Sequence, residues 1–392
     1  MNTSIHHSET IFNSLKKINI TSKLSSIAIK HIITIIITIF SFGYRGKTVN
    51  FERNSDNHRT TVAYFLNKGK WDSGWLEETL KQTVMNIIYS ESEKSGKPVY
   101  VIIDDTIASK TKPSSKANHP IEDAYFHQSH LKGRQDYGHQ AVGVMLSCNG
   151  ITLNYDIILY DKSVSKIDLV CGIADELKTA PNVSYLLCDS WYTCSKVTEA
   201  FIRKGFYTIG ALKTNRIIFP AGVGIGISKL AENICEEDKF FRPVTVKGRK
   251  YLVCRIECNL KDIDNAVVLI TYPVGAFHNK KALRAFLCTN SELSTEDILR
   301  MYTERWEIEV FFRESKSKLA IDKYQIRSVK GIKRFWLISS LAYLIACCES
   351  NSFDFSEGYH ILMKKVEYDQ LENLYFIARK CDDFEEFMES AS

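Results

Sequence analysis

Residues 302–316 read YTERWEIEVFFRESK, and the interpretation of the whole chain starts from this stretch. The segment STED at 294–297 places a hydroxyl three residues before an acid, which predicts a helix start. No Pro or Gly follows before residue 331, so one continuous helix is predicted. At about 100° per residue, a stripe roughly 60° wide on that helix carries Tyr302, Arg305, Glu309 and Lys316. A carboxylate between cations suits a site that holds a metal and a phosphate. The alternative is an ordinary solvated face with Arg–Glu pairs four residues apart.

Two other segments are predicted to be buried strands that end on acids. Residues 99–103 are β-prone and apolar, and Asp104 and Asp105 follow them. Residues 185–188 form a similar run that ends on Asp189. Burial of unpaired carboxylates costs free energy, so we expect a cation beside them, unless they are turn acids. Acids at the carboxyl ends of neighbouring strands meet at one edge of a mixed sheet.

The order of these elements predicts an α/β protein with several parts. Residues 1–90 have helical spacing, with helices over 5–20, 24–42 and from about 72 to 88. Residues 97–212 alternate strands and helices, with a hairpin at Asn149-Gly150. Residues 213–290 are predicted to be a β-rich insertion, 291–350 the return to the core, and 351–392 a helical tail. The loop predicted over 107–137 is long, polar and basic, which is typical of functional loops.

The charge of the chain is concentrated at its N-terminal end. The whole chain of 392 residues carries a net charge of +5. The first 70 residues hold ten Lys and Arg against three acids, a net charge of +7, so the rest sums to −2. A basic head on a near-neutral body favours a polyanionic partner, most often nucleic acid. Arg53 and Arg59 flank a short polar stretch ahead of a predicted helix, where they could contact DNA. The alternative is a basic helical cap with a structural role.

Other features exclude several classes of protein. The eleven cysteines lack zinc-finger spacing, which favours reduced core thiols in a cytosolic protein. The longest apolar run, residues 32–42, is too short to cross a bilayer, and no secretory leader precedes it, so a soluble chain without a membrane partner is expected. Glycines 222, 224 and 226 lack the Lys-Ser/Thr of a nucleotide-binding loop.

Three carboxylates remain as candidates for one site: Asp105, Asp189 and Glu309. Three carboxylates suit two Mg²⁺ ions, which prefer oxygen ligands and share phosphate oxygens with them. Mn²⁺ could substitute. No covalent nucleophile with an adjacent base is evident in the sequence.

These motifs resemble a family of bacterial insertion-sequence transposases, the YREK-signature group of the DDE superfamily. The spacing Tyr302-x2-Arg305-x3-Glu309-x6-Lys316 matches that signature, while Asp105-Thr106 and Asp189 match its two aspartate motifs. The resemblance implies an RNase H-like core with a β insertion, a metal triad of Asp105, Asp189 and Glu309, and a DNA end held by Tyr302, Arg305 and Lys316. It also implies that Asp104 is only the neighbour of a ligand, because the family's Asp directly precedes the Thr.

The resemblance carries further expectations about function. It implies cut-and-paste transposition by a synaptic homodimer on the inverted repeats of its own element and on target DNA, in the bacterial cytoplasm at the nucleoid. The 3′-hydroxyl freed by the first cut would attack the opposite strand and form a hairpin. Some relatives stack a flipped base on a Trp before the signature helix, where this chain reads Arg284-Ala285-Phe286. The alternatives are a catalytically inactive or domesticated DNA-binding relative, and another metal-dependent nuclease with an RNase H-like core.

Overall fold

The computed structural model describes residues 7–55, 57–129, 132–234 and 240–391. Its N-terminal part is helical, as predicted, although residues 5 and 6 of the first predicted helix lie outside the described residues. The helices are α1 Glu9–Lys17, α2 Ser26–Phe40, α3 Thr48–Glu52, α4 Arg59–Asn67 and α5 Ser73–Ser95. Side-chain caps explain two of their starts: Ser8 accepts from the Ile11 amide at α1, and Asp72 accepts from the Trp75 amide at α5.

A mixed sheet with helices against it follows these helices. Its strands and helices in chain order are β1 Tyr100–Ser109, β2 Tyr125–Ser129, β3 Arg134–Cys148, β4 Ile151–Tyr160, α6 Lys166–Glu176, β5 Ser184–Cys188, α7 Ser195–Ile202 and β6 Phe206–Leu212. The strand β3 pairs antiparallel with β1, β2 and β4, whereas β1, β5 and β6 run parallel. The predicted hairpin joins β3 to β4, with positive φ at both Asn149 and Gly150. This is the predicted α/β, RNase H-like arrangement.

The first strand differs from its prediction. The apolar run was expected to end at Ile103, but β1 continues through both acids to Ser109, because β3 supplies an antiparallel partner along its full length. The segment predicted as a loop over 107–137 therefore contains the end of β1, all of β2 and the start of β3.

The segment 213–290 is rich in strands, as predicted, and also contains a short helix that was not predicted. Its elements are β7 Ile217–Phe219, β8 Ile225–Gly226, α8 Ile227–Asn233, β9 Phe241–Val246, β10 Arg249–Leu260, β11 Ala266–Pro273 and β12 Arg284–Cys288. Since β12 pairs with β6, these strands extend the same sheet. They also enclose a second hydrophobic core around Val268, Ile270 and Leu287.

The predicted signature helix is divided into two. The helix α9, Thr295–Tyr302, begins at the Ser294 cap; a 3₁₀ turn, Thr303–Arg305, follows, and then α10, Trp306–Lys318. The prediction of one continuous helix over this segment was therefore wrong. The remaining helices are α11 Val329–Glu349, α12 Phe355–Ala378 and α13 Phe384–Ala391.

The helix α11 lies at the centre of the main core. It is long and apolar enough to cross a membrane, but 83% of its most apolar 18-residue segment is buried inside the protein. Its apolar composition is therefore explained by packing in the core. The guanidinium of Arg334, in α11, donates to the carbonyl oxygens of Phe65, Leu66, Gly69 and Trp71. The N-terminal helices consequently share one core with α11 and the sheet.

Candidate active site

The two acids of β1 point to opposite faces of the sheet. Successive side chains of a strand alternate, and the register places Asp104 opposite Gly143 and Asp105 opposite Val142. A Cβ on Gly143 would lie 2.7 Å from the ring of Phe312 in α10. The face that carries Asp104 is therefore the face covered by α10.

Asp104 lies beside Asp189 at the end of the parallel strand pair. In the parallel register Ile103 is opposite Cys188, and the next residue on each strand is an acid. Burial, opposed by the positive charge of Arg305 and reinforced by the negative charge of Asp189, raises the pKa of the Asp104 carboxyl to about 7. Two nearby carboxylates in a half-buried place thus carry negative charge that the protein only partly compensates.

Arg305 connects the strand acids to the signature helix. Its Nη1 donates to Asp104 Oδ2 at 2.8 Å, and its Nη2 donates to Glu309 Oε1 at 2.5 Å. The guanidinium is 18% exposed, so both pairs lie in a partly desolvated place where ion pairs are stronger than at the surface. The 3₁₀ turn ends at Arg305 and α10 begins immediately after it, so Arg305 and Glu309 lie one helical turn apart on the face toward β1.

Asp105 has a different set of partners. Its Oδ1 accepts from Gln140 Nε2 at 2.9 Å, and its Oδ2 accepts from the hydroxyl of Tyr192 at 3.1 Å and from the ammonium of Lys166. All of these groups lie on the face opposite α10. The sequence predicted that Asp105, Asp189 and Glu309 converge, but side-chain direction favours Asp104 for the first position. In the structure Asp104 is the acid bonded to Arg305 and Asp105 is the acid bonded to Lys166, and which of the two is a metal ligand stays a prediction.

Asp189 is held in a tight turn after β5. Its Oδ1 accepts from the backbone amides of Trp191 at 2.9 Å and Tyr192 at 3.4 Å. The hydroxyl of Thr193 donates to the Asp189 carbonyl at 2.9 Å. The other carboxylate oxygen of Asp189, Oδ2, accepts none of these three hydrogen bonds.

Two further signature residues make contacts with the protein itself. Lys316 donates to the Thr106 hydroxyl at 2.6 Å and to the Ile107 carbonyl at 3.1 Å, which fastens the end of α10 to β1. Burial lowers the pKa of the Lys316 ammonium. The ring of Tyr302 packs on Phe286 of β12 with centroids 4.7 Å apart, and burial raises the pKa of its phenol.

A cavity of about 500 Å³ opens beside Tyr302, between the insertion strands and the 3₁₀ turn. Its walls combine aromatic and basic side chains, including Arg249, Arg284, Phe286, Tyr302 and Trp306. The Trp306 ring is 56% exposed. A planar, negatively charged ligand is the kind of group that such a wall can bind.

The predicted DNA contacts of the basic head lie at the surface. Arg53 is the C-cap of α3 and Arg59 is the first residue of α4, and both side chains are exposed. Both residues belong to the helical part that packs around α11. Among the described residues, neither of them forms a hydrogen bond or an ion pair with the acids of the sheet.

The donor set is suited to a hard divalent cation. Asp104, Asp189 and Glu309 offer carboxylate oxygens, the ligands that Mg²⁺ prefers. Within the described ranges, however, no three His, Cys, Asp or Glu side chains are arranged as ligands of one ion. Arg305 lies between Asp104 and Glu309, so the guanidinium neutralises the carboxylates that a metal would otherwise neutralise.

Some site residues could have been found from the sequence and others could not. The alternation of side chains along β1 shows that only one of Asp104 and Asp105 can face α10. It does not show which one, because the covering contact between Gly143 and Phe312 joins distant segments. Lys166 and Tyr192, the partners of Asp105, carry no recognisable sequence signal.

The family assignment follows from comparison with known proteins. Residues 95–345, well over half of the chain, match the family described as the transposase DDE domain. No curated protein matches the chain. The matched region includes every acid of the candidate site, from Asp104 to Glu309. The chain therefore belongs to the DDE transposase family.

Proposed function

We propose that this DDE transposase catalyses metal-dependent DNA cleavage and strand transfer at the inverted repeats of an insertion sequence. The observation that carries the proposal is the arrangement of Asp104, Asp189, Arg305 and Glu309. Two acids meet at the end of neighbouring parallel strands, and a guanidinium links one of them to the acid of the signature helix. That combination offers both cation ligands and a phosphate-binding group at one place.

The proposed cofactor is Mg²⁺, as two ions, with Mn²⁺ as a substitute. When bound, such ions would lower the pKa of water and stabilise the negative charge that develops on phosphate oxygens. Asp104 and Asp189 would hold them, with Glu309 as the third carboxylate. Arg305, which now neutralises Asp104 and Glu309, has a natural second partner in a DNA phosphate, because its planar donor pair fits phosphate oxygens bidentately.

The DNA end is proposed to lie against the 3₁₀ turn. Tyr302 and Arg305 border the aromatic and basic cavity, and Phe286 of β12 lines it as well. We propose that an unpaired base stacks on Phe286 or Trp306 in this cavity while Arg284 contacts its phosphate. Lys316, which already donates twice to β1, has one remaining N–H for the same strand.

The other parts of the proposal concern binding and assembly. The net charge of +7 in the first 70 residues supports a role of this segment, with Arg53 and Arg59, in gripping terminal DNA. Synapsis of two ends would bring together two copies of the chain, and a hairpin on the transposon end would be the intermediate. The bacterial cytoplasm, at the nucleoid, is the proposed location.

The experiment uses labelled double-stranded end DNA and scrambled DNA with purified wild-type protein and Glu309→Gln. Glutamine keeps the size of the side chain but removes the charge that holds a cation, so cleavage should fall by several orders of magnitude while end binding remains. Glu307→Gln is the matched control on the same helix, since Glu307 makes no hydrogen bond to Arg305. Denaturing gels would distinguish a nick, a hairpin and a transferred strand. Nicking by Glu309→Gln at the wild-type rate in Mg²⁺ would refute the assigned role.

A further inference from the structure

Asp105 is the most extensively hydrogen-bonded acid near the site, yet it faces away from the signature helix. Its two oxygens accept from three elements: Gln140 on β3, Lys166 at the start of α6 and Tyr192 after β5. Its side chain is 24% exposed and that of Lys166 is 14% exposed. A charge-assisted network in a partly buried place is a strong constraint on the elements that it joins.

The important partner is Tyr192, because it belongs to the turn that presents Asp189. The amides of Trp191 and Tyr192 donate to the Asp189 side chain. The ring of Tyr192 is 1% exposed, so its hydroxyl needs an acceptor inside the protein, and Asp105 is that acceptor.

The other side of the same turn is also fixed. A Cβ on Gly210 of β6 would lie 2.2 Å from the hydroxyl oxygen of Thr193, so the turn packs directly on the backbone of β6. Lys166, while bonded to Asp105, lies 4.8 Å from the centroid of the Trp191 ring. Asp105 and Lys166 thus hold two consecutive aromatic residues of the turn that begins at Asp189.

We propose that Asp105 is a positioning residue: it fixes the turn 189–193 through Tyr192 and thereby sets where the Asp189 carboxylate lies relative to Asp104. This inference rests on the proposed function, in which Asp104 and Asp189 hold the cation. Asp105 acts from the opposite face of β1, through Tyr192, and does not touch the cation. Lys166 neutralises the charge of Asp105, so the second acid of the pair adds no uncompensated charge beneath the site.

The test compares five proteins in the full-length chain: wild type, Asp105→Asn, Tyr192→Phe, Asp104→Asn and Asp156→Asn. Tyr192→Phe removes only the hydroxyl that reaches Asp105. Asp156→Asn is the matched control, since Asp156 is a half-buried acid paired at 2.6 Å with Lys81 in another network. Two quantities are measured: the Mg²⁺ concentration that gives half-maximal cleavage of end DNA, and hydrogen–deuterium exchange of the peptide covering 189–194.

Loss of a group that orients a metal ligand typically weakens metal affinity by about 10–100-fold. Asp105→Asn and Tyr192→Phe should therefore raise the half-maximal Mg²⁺ concentration by about that factor, with the KM for DNA unchanged and cleavage recovered at high Mg²⁺. Both should speed exchange in the 189–194 peptide. Asp156→Asn should lower thermal stability and change neither quantity. Asp104→Asn should not cleave at any Mg²⁺ concentration.

Two results would overturn the inference. One is an Asp105→Asn protein that folds but cannot be rescued by Mg²⁺ while Tyr192→Phe behaves as wild type, since Asp105 would then be a ligand. The other is a wild-type Mg²⁺ requirement and wild-type exchange in both Asp105→Asn and Tyr192→Phe. If Asp105→Asn fails to fold, Tyr192→Phe decides alone. Cleavage by Asp104→Asn at the wild-type rate would instead refute the proposed function.

Discussion

The substitution Gly143→Ala adds a single methyl group and tests how closely α10 packs on β3 beside the candidate site. Gly143 lies on β3 opposite Asp104, and an added Cβ would lie 2.7 Å from Cζ and 2.8 Å from Cε1 of Phe312. Ordinary contact begins near 3.4 Å, so the ring must retreat by about 0.7 Å. Phe312 is 7% exposed and lies three residues after Glu309, so we expect displacement of its packed ring to shift α10 as well.

The expected cost of Gly143→Ala follows from that overlap. Overpacking of a core by one methyl group typically lowers the free energy of unfolding by about 1–3 kcal/mol. The same shift would move Glu309 relative to Asp104, and misplacement of a catalytic group by about 1 Å can cost about 100-fold in rate. Cleavage of end DNA should therefore fall by about 10–100-fold, more than the loss of stability alone would produce.

A double-mutant cycle provides the assay. Urea unfolding is measured for Gly143→Ala, Phe312→Leu and the double variant, because leucine lacks the ring atoms that the new methyl group meets. The double variant should be more stable than the sum of the single effects by about 0.5–3 kcal/mol.

Gly172→Ala in α6 is the matched control. A Cβ there meets nothing within 4 Å, so this variant should gain about 0.5–1 kcal/mol from helix propensity. Additive single effects, or a Gly143→Ala protein as stable as wild type, would refute the close packing of α10 on β3.

Three further predictions concern arginines. Arg305→Lys should bind end DNA but cleave it at least about 10-fold more slowly in a gel assay, because an ammonium cannot bridge Asp104 and a second group as a planar guanidinium does; wild-type cleavage would contradict this. Arg53→Ala with Arg59→Ala should flatten the dependence of log affinity on log salt by about two counterions in a fluorescence titration, and an unchanged slope would make the basic head a structural cap. Arg334→Met should lower the free energy of unfolding by at least about 1–3 kcal/mol in urea, since it strands buried carbonyls; a neutral effect would contradict that reading.

Local sequence patterns were sufficient for most elements of the fold. The turn at Asn149-Gly150 was predictable because few residue pairs adopt positive φ twice in succession at low cost. The buried character of α11 was predictable because it is apolar nearly all round. The extension of β1 to Ser109 was not predictable, since a strand containing two acids continues only where a partner strand exists, and the partners of Asp104 to Ser109 lie 29 to 39 residues further along the chain.

The 3₁₀ turn Thr303–Arg305, which was not predicted, changes the directions in which the signature side chains point. A 3₁₀ turn advances by about 120° per residue where an α-helix advances by about 100°, so three such residues rotate the chain by about 60°. No Pro or Gly marks the place, and the turn is therefore invisible to periodicity. In the structure Tyr302 packs on Phe286 while Arg305, which stays 5.9 Å from the centroid of the Tyr302 ring, and Glu309 face β1.

The charges around the proposed site favour the binding of a cation there. Asp104, Asp105, Asp189 and Glu309 are four acids, and Lys166 and Arg305 are the cations hydrogen-bonded to them. Because Lys166 lies on the far face with Asp105, the face toward α10 has three acids, and Arg305 is hydrogen-bonded to two of them. The Lys316 ammonium on the same side donates to Thr106 and Ile107 of β1. Burial of the Asp104 carboxyl raises its pKa, the positive charge of Arg305 opposes this shift, and the negative charge of Asp189 adds to it, so a positive charge approaching Asp104 would stabilise its ionised form. At the proposed site a divalent ion would offset the negative charge by which these acids exceed Arg305, and a DNA phosphate arriving with it would give Arg305 a partner in exchange for the carboxylates that it would release.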